Sequence, residues 1–154
     1  MNAYAVPEPR NMGGALDSGG AWMRYLVPLG RFAFAAAFVF FGPLDLTPQG
    51  IAWAAQQGVP LPHALSPLAG LIALAGGLSV ILGYRARLGA WLLILFLVPV
   101  TGFMHNFWAV RDPTMAQMQM GFFIGNLSRV GGALLIAYFG AGPLSFDARG
   151  KPPH

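Results

Sequence analysis

An arginine in the middle of an apolar stretch is the most informative chemical group in this chain. Arg129 lies within residues 120–139, which are almost entirely apolar and hold no acidic residue. It lies about 14 Å into a helix that rises about 1.5 Å per residue, near the middle of a hydrocarbon core about 30 Å thick. A charge is costly at that depth, so we expect Arg129 to have a function or a buried partner. Asn126, three residues earlier, shares its helical face.

Other side chains that could take part in chemistry gather near the ends of the apolar stretches. His105 could exchange a proton near neutral pH and is the candidate catalytic residue. Arg129 or Asn126 could stabilise an oxygen atom that carries negative charge. The candidate binding residues are Arg129, Asn126, Asn106, Asp112, Asp45, Gln117, Trp108 and Arg31.

These residues also have ordinary structural interpretations. His105 is consistent with a hydrogen-bonded residue at the membrane interface, and Asp112 with a turn. Arg31 would either extend to the lipid headgroups or bond to another helix. Helical side chains lean toward the helix N-terminus, so Arg129 should reach outward, toward Asp112, Asp45 or His105.

The composition places the chain in a membrane. Hydrophobic residues are 56% of the chain and charged residues 9%, whereas soluble domains carry about 25% charge. The basic residues are scattered singly, so the net charge of +4 does not indicate nucleic-acid binding. The chain has no cysteine, no metal-ligand spacing and no phosphate-binding loop. We therefore expect no metal, no haem and no nucleotide.

Four apolar stretches are long enough to cross a bilayer as helices. We predict spans at residues 25–42, 65–84, 88–107 and 120–139. The predicted fold class is all-α, a four-helix transmembrane bundle over residues 25–139 with a flexible cytoplasmic segment at 1–24 and a cytoplasmic tail at 140–154. Thr47 and Pro48 form a helix start, so we expect a short interfacial helix in the first outer loop.

Lysine and arginine residues set the expected orientation. Six lie in the N-terminal segment, the turn between the second and third spans, and the C-terminal tail. Only Arg111 lies in the two opposite loops. Because basic residues stay on the cytoplasmic side, we expect a multi-pass protein with both termini in the cytoplasm.

Several motifs resemble the DoxX family of four-span bacterial inner-membrane proteins, over roughly residues 25–147. The motifs are Arg31, Gly58-Val59-Pro60-Leu61-Pro62, Gly76-Gly77 to Gly83 followed by Arg85-Ala86-Arg87-Leu88, Met104-His105-Asn106-Phe107-Trp108, the Gln117 and Gln119 stretch, Phe123-Ile124-Gly125-Asn126-Leu127, and Gly131-Gly132 through Gly142-Pro143-Leu144-Ser145. The histidine-asparagine-phenylalanine-tryptophan motif together with the asparagine-leucine motif carries most of the resemblance.

The resemblance implies a membrane subunit of a redox system that interacts with quinone at a polar outer face. Whether the chain is itself an enzyme stays open, because a partner would carry the oxidisable site. The alternatives are a non-catalytic membrane anchor or assembly factor, or a carrier of a small solute or lipid. We expect contact with the lipid bilayer and either a protein partner or a second copy of the chain.

The chain departs from the DoxX pattern at two positions. Ala73 stands where members often carry a glutamate, and Gly125 stands where they often carry a lysine. Losing one member of a buried ion pair leaves an unpaired charge and costs about 3–5 kcal/mol. Losing both members avoids that cost. Our hypothesis is that Arg129, one turn from Gly125, supplies the missing cation and pairs with Asp45 or Asp112.

Overall fold

A computed structural model describes residues 22–149, which form helices and loops without a strand. The five α-helices are α1 (Leu26–Phe41), α2 (Pro48–Gln56), α3 (Pro62–Leu82), α4 (Ala86–Met104) and α5 (Pro113–Phe139). Short 3-10 turns lie at Met23–Tyr25, Gly42–Leu46, Phe107–Ala109 and Phe146–Ala148. Most of the segment predicted to be flexible at 1–24, and the last five residues of the predicted tail, lie outside the described residues.

Four of these helical stretches are long and apolar enough to cross a membrane, at Met23–Leu46, Pro62–Leu82, Ala86–Ala109 and Pro113–Phe139. The predicted class, an all-α protein with four membrane-spanning helices, is therefore confirmed. The last helix begins at Pro113, seven residues before the predicted span. The Asp112 carboxylate accepts a hydrogen bond from the Met115 N–H at 2.8 Å, so this capping residue starts the helix before the apolar stretch begins.

The short helix α2 in the first loop is present, and its start has the expected chemistry. The Thr47 side-chain oxygen accepts a hydrogen bond from the Gly50 N–H at 3.1 Å, and Pro48 takes the first helical position. Ala54 is buried, whereas Trp53 on the same helix is exposed. Helix α2 therefore packs one face against the bundle and presents an aromatic side chain to its surroundings.

The spans run alternately up and down, which gives the bundle two ends. We call the end with residues 42–61 and 105–112 the loop end, and the end with the α3–α4 turn and residues 140–149 the tail end. Helix α3 packs against α1 and α4, and α4 packs against α5. The buried core is formed by Ala35, Phe38, Ala73, Val80, Leu93 and Leu97. The outward faces are apolar, as suits helices that contact lipid.

Close backbone contacts at glycines hold the helices together. A Cβ atom added to Gly70 on α3 would lie 2.5 Å from the Gly42 carbonyl oxygen. One added to Gly76 would lie 2.9 Å from the Gly89 carbonyl oxygen on α4. Helices in lipid associate through such close packing because lipid tails are as apolar as the side chains. These glycines therefore set the distance of α3 from the turn after α1 and from α4.

This packing predicts opposite effects for two glycine-to-alanine substitutions. Gly70→Ala should destabilise the fold by about 1–3 kcal/mol, because the added methyl meets a backbone oxygen that cannot move freely. Gly131→Ala is the matched control, since nothing lies within 4 Å of a Cβ there, and it should be neutral or stabilise by up to about 1 kcal/mol. Unfolding of the purified protein in mixed micelles measures both. Equal effects would show that the Gly70 contact does not constrain the bundle.

Candidate functional site

Arg31 is buried at the tail end, with 5% of its surface exposed. Its guanidinium donates hydrogen bonds to the carbonyl oxygens of Ala141 at 2.6 Å and Leu144 at 2.8 Å. The expectation that Arg31 reaches the headgroups or bonds to another helix is wrong, because the segment after α5 folds back under the bundle and offers carbonyls to it. Arg31 therefore has a structural contact and does not join a binding site at the loop end.

The described part of the predicted tail is structured as well. The Asp147 carboxylate accepts hydrogen bonds from the backbone N–H groups of Arg85 at 2.7 Å and Ala86 at 3.0 Å. The Asp147 N–H donates to the Gly83 carbonyl at 2.9 Å. Asp147 thus satisfies N–H groups that the start of α4 cannot satisfy internally. Residues 140–149 clamp α1, α3 and α4 together at the tail end.

Arg129 does not reach either carboxylate proposed as its partner. Its guanidinium donates a hydrogen bond to the Asn126 side-chain oxygen at 2.8 Å, and no ion pair joins it to an acid within residues 22–149. Asp112 caps α5 instead, and Asp45 lies between α3 and the first loop, away from this face. The ion-pair hypothesis is wrong because helical periodicity gives the face of one helix but not which neighbour that face meets. Asn126 is buried, whereas Arg129 is exposed.

His105 lies at the end of α4, and its partner is Gln119, a residue of the Gln117 and Gln119 stretch that was not among the candidate binding residues. Its Nδ1 atom lies 2.8 Å from the side-chain oxygen of Gln119, and its ring packs at 5.4 Å from the ring of Phe122. This hydrogen bond joins α4 to α5 across the loop between them. The hydrogen-bond partner of His105 is a neutral amide, and this contact includes no acidic side chain.

The other predicted residues of the outer face are spread over separate places. Asn106 begins the turn that contains Phe107 and Trp108. Trp108 is exposed and packs edge-on against the rings of Phe107 at 5.2 Å and Phe123 at 5.8 Å. Gln117 is exposed on the first turns of α5. The structure brings His105 and its neighbours together but does not join them to Asp45, Arg31 or Arg129.

A separate cavity at the loop end contains Asp45. This loop-end cavity has a volume of about 340 Å³ and lies between α3 and α4, beneath α2 and the turn before it. Among the described residues that line it, Asp45 is the only ionisable one, and Ser66 is the other polar one. The lining consists of Asp45, Ala54, Val59, Leu65, Ser66, Leu68, Ala69, Ile72, Leu95, Phe96, Pro99, Val100, Phe103 and Met104. Its size is that of cavities that bind small molecules.

Asp45 is held in place through its backbone and not through its carboxylate. The Ser66 hydroxyl donates a hydrogen bond to the Asp45 carbonyl oxygen at 2.9 Å. The Asp45 Cβ would lie 3.0 Å from a Cβ on Gly70, so a larger residue on α3 would displace it. Within the described residues no side chain donates to the carboxylate itself. A half-buried acid without a partner, at the end of an apolar cavity, is a place where a ligand can supply the missing donor.

The length and apolar composition of four helices define the protein as a multi-pass membrane protein. The model of the SURF4 family matches residues 65–152, which is more than half of the sequence, and the chain belongs to that family. No curated protein and no solved structure matches the chain.

The resemblance to the DoxX family is therefore wrong. Its glycine motifs serve contacts that close-packed helices need in general. Gly77 lies against Val39 on α1, and Gly83 ends α3 in a left-handed conformation with φ of +64°. The quinone-linked redox function that the resemblance implied is wrong as well, and membership of the SURF4 family supports none of its alternatives, an anchor, an assembly factor or a carrier.

Proposed function

We propose that the protein binds an amphipathic amine in the loop-end cavity. The observation that carries this proposal is the Asp45 carboxylate, half-buried and unpaired within the described residues, in a cavity whose lining is otherwise almost entirely apolar. An apolar chain suits the walls formed by α3 and α4, and an ammonium group suits the carboxylate. A hydrogen bond to a charged group contributes about 1.5–3 kcal/mol, which is enough to select an amine over a neutral molecule of the same length.

The orientation of the cavity supports a ligand that comes from the bilayer. Leu68 on α3 and Leu95 on α4 line the cavity and are also exposed on the outer surface of the bundle. The cavity therefore borders the surface that faces lipid. A molecule dissolved in the bilayer can enter between these two helices with its amine directed to the more polar loop end, where Asp45 and Ser66 lie.

Matched probes of one chain length test the proposal. Photoreactive dodecylamine and dodecanol are incorporated with the protein into lipid nanodiscs, and labelled peptides are located by mass spectrometry. We expect Asp45→Asn to weaken labelling by the amine about tenfold and to leave the alcohol unchanged, because only the charge contact is lost. Ala69→Leu should weaken labelling by both probes, since the larger side chain fills the cavity.

Two substitutions serve as controls for this experiment. Asp112→Asn removes an exposed acid at the same end of the bundle, and Ala64→Leu enlarges an exposed residue of α3 outside the cavity. Neither should change labelling. Equal labelling of the wild type by amine and alcohol, or labels placed away from α3 and α4, would contradict the proposal.

We also propose that the face of α5 around Arg129 contacts another transmembrane protein that carries a carboxylate. Arg129 lies about 24 Å from the start of α5 and about 15 Å from its end, and it is exposed. A guanidinium has five N–H donors, and Asn126 accepts from one of them. The acids of the described chain, at positions 45, 112 and 147, lie at the two ends of the bundle, so residues 22–149 of a second copy offer no carboxylate at mid-depth.

The contact at Arg129 is testable in native membranes. A photo-crosslinking amino acid at Ser128 should join the chain to one defined partner, and Arg129→Gln should reduce that product about 100-fold or more, because it strands the partner's buried charge. Arg111→Gln, which removes an exposed charge from a loop, should leave the product unchanged. A wild type that stays monomeric in native membranes, with Arg129→Leu more stable than the wild type, would overturn this proposal.

We propose further that the tail end faces the cytoplasm. The sequence supports it, because six basic residues lie before α1, between α3 and α4, and after α5, against one in the two other loops. Because the chain has no cysteine, a single cysteine can report its own side of the membrane. An impermeant maleimide should label Gln56→Cys in intact cells and Ala148→Cys only after permeabilisation. The reverse pattern would contradict this orientation.

A further inference from the structure

A second cavity lies at the opposite end of the bundle from Asp45. This tail-end cavity has a volume of about 610 Å³, between the start of α4 and the segment that follows α5. Arg85 and Arg87 line one side, and Gly140 and Asp147 line the other. Two arginine residues, two positions apart in the sequence, thus line one cavity, and the Arg87 guanidinium lies within 4 Å of the position of a Cβ atom on Gly140.

The charges of the tail-end cavity do not cancel within the described residues. Neither guanidinium forms an ion pair there, although Arg85 lies over the Tyr84 ring at 5.8 Å. The carboxylate of Asp147 already accepts two backbone hydrogen bonds at the start of α4. Asp147 satisfies the helix N-terminus and keeps its charge, so the two arginines against one aspartate leave a positive charge in the lining of the cavity.

The rim of the cavity is apolar on the side that faces lipid. Leu88 on α4 is 57% exposed, and Phe139 at the end of α5 is 71% exposed. Both residues line the cavity. A ligand with an anionic group among the arginines could therefore lay an apolar chain along Leu88 and Phe139, which is the shape of a phospholipid at the edge of a bilayer.

We propose that the tail-end cavity binds a phosphate-bearing anion through Arg85 and Arg87. Guanidinium groups match phosphate geometry because they donate paired hydrogen bonds. Two sources share this chemistry, the headgroup of an anionic phospholipid and free phosphate. The site is independent of the loop-end cavity and does not depend on the function proposed for it.

The experiment compares lipid retention among charge variants of the full chain. The protein is reconstituted in nanodiscs that contain equal phosphatidylglycerol and phosphatidylcholine, released into mild detergent, and analysed by native mass spectrometry. We expect the wild type to retain phosphatidylglycerol. Arg85→Gln and Arg87→Gln should each lower retention about fivefold and the double variant about twentyfold or more. Arg149→Gln removes the same charge at the same end but outside this cavity, and it should have little effect.

A second arm separates the two sources of phosphate. Inorganic phosphate is titrated into the lipid-free protein at constant ionic strength, and its binding is followed by calorimetry. Binding of phosphate that the double variant loses, without retention of phosphatidylglycerol, would assign the site to the free ion. No preference for either ligand in the wild type, or an equal loss in Arg149→Gln, would overturn the proposal, because the effect would then be one of general surface charge.

Discussion

Within a bilayer, polar groups that water cannot reach depend on the protein itself for hydrogen bonds, and the two terminal nitrogens of Arg31 show the consequence of that constraint. Its guanidinium is buried on α1 and donates to two carbonyl oxygens of the segment after α5. That contact brings Asp147 to the start of α4. The α3–α4 turn is therefore held by residues 140–149 at the tail end. The contacts of Gly70 and Ser66 hold α3 at the loop end. The loop-end cavity lies along α3 and α4 between these two fixed ends.

The elements of the fold were predictable because length and apolarity determine what can cross a membrane. The four spans, and the short helix after Thr47, follow from hydrophobic windows and capping chemistry alone. The fold of residues 140–149 was missed because Arg31 bonds to backbone carbonyls, which any residue carries and which leave no pattern in the sequence. The glycines at 140 and 142, both with positive φ, were the available indication that the chain turns back there.

The candidate site was harder to predict than the fold, because a site depends on which helices are neighbours. The periodicity of α5 placed Asn126 beside Arg129, and they do bond, but it could not show which neighbouring helix that face meets. Asp45 was identified as a polar residue of the first loop, yet its apolar surroundings come from α3 and α4, which are distant in sequence. The DoxX resemblance was wrong because its motifs include glycines, and close-packed helices of many families share glycines at their contacts.

The three polar features that remain differ in depth and therefore in their possible ligands. Asp45 lies at the loop end beside apolar walls, Arg129 lies at mid-depth on an exposed face, and Arg85 and Arg87 lie at the tail end. Of these, Asp45 is the residue to which we assign the binding of an amine. A structure of the protein crystallised from a lipid phase that contains dodecylamine tests it most directly. We predict density for the chain between α3 and α4, with the amine within about 3 Å of the Asp45 carboxylate. A cavity closed by its own side chains, or an amine bound elsewhere, would contradict the account.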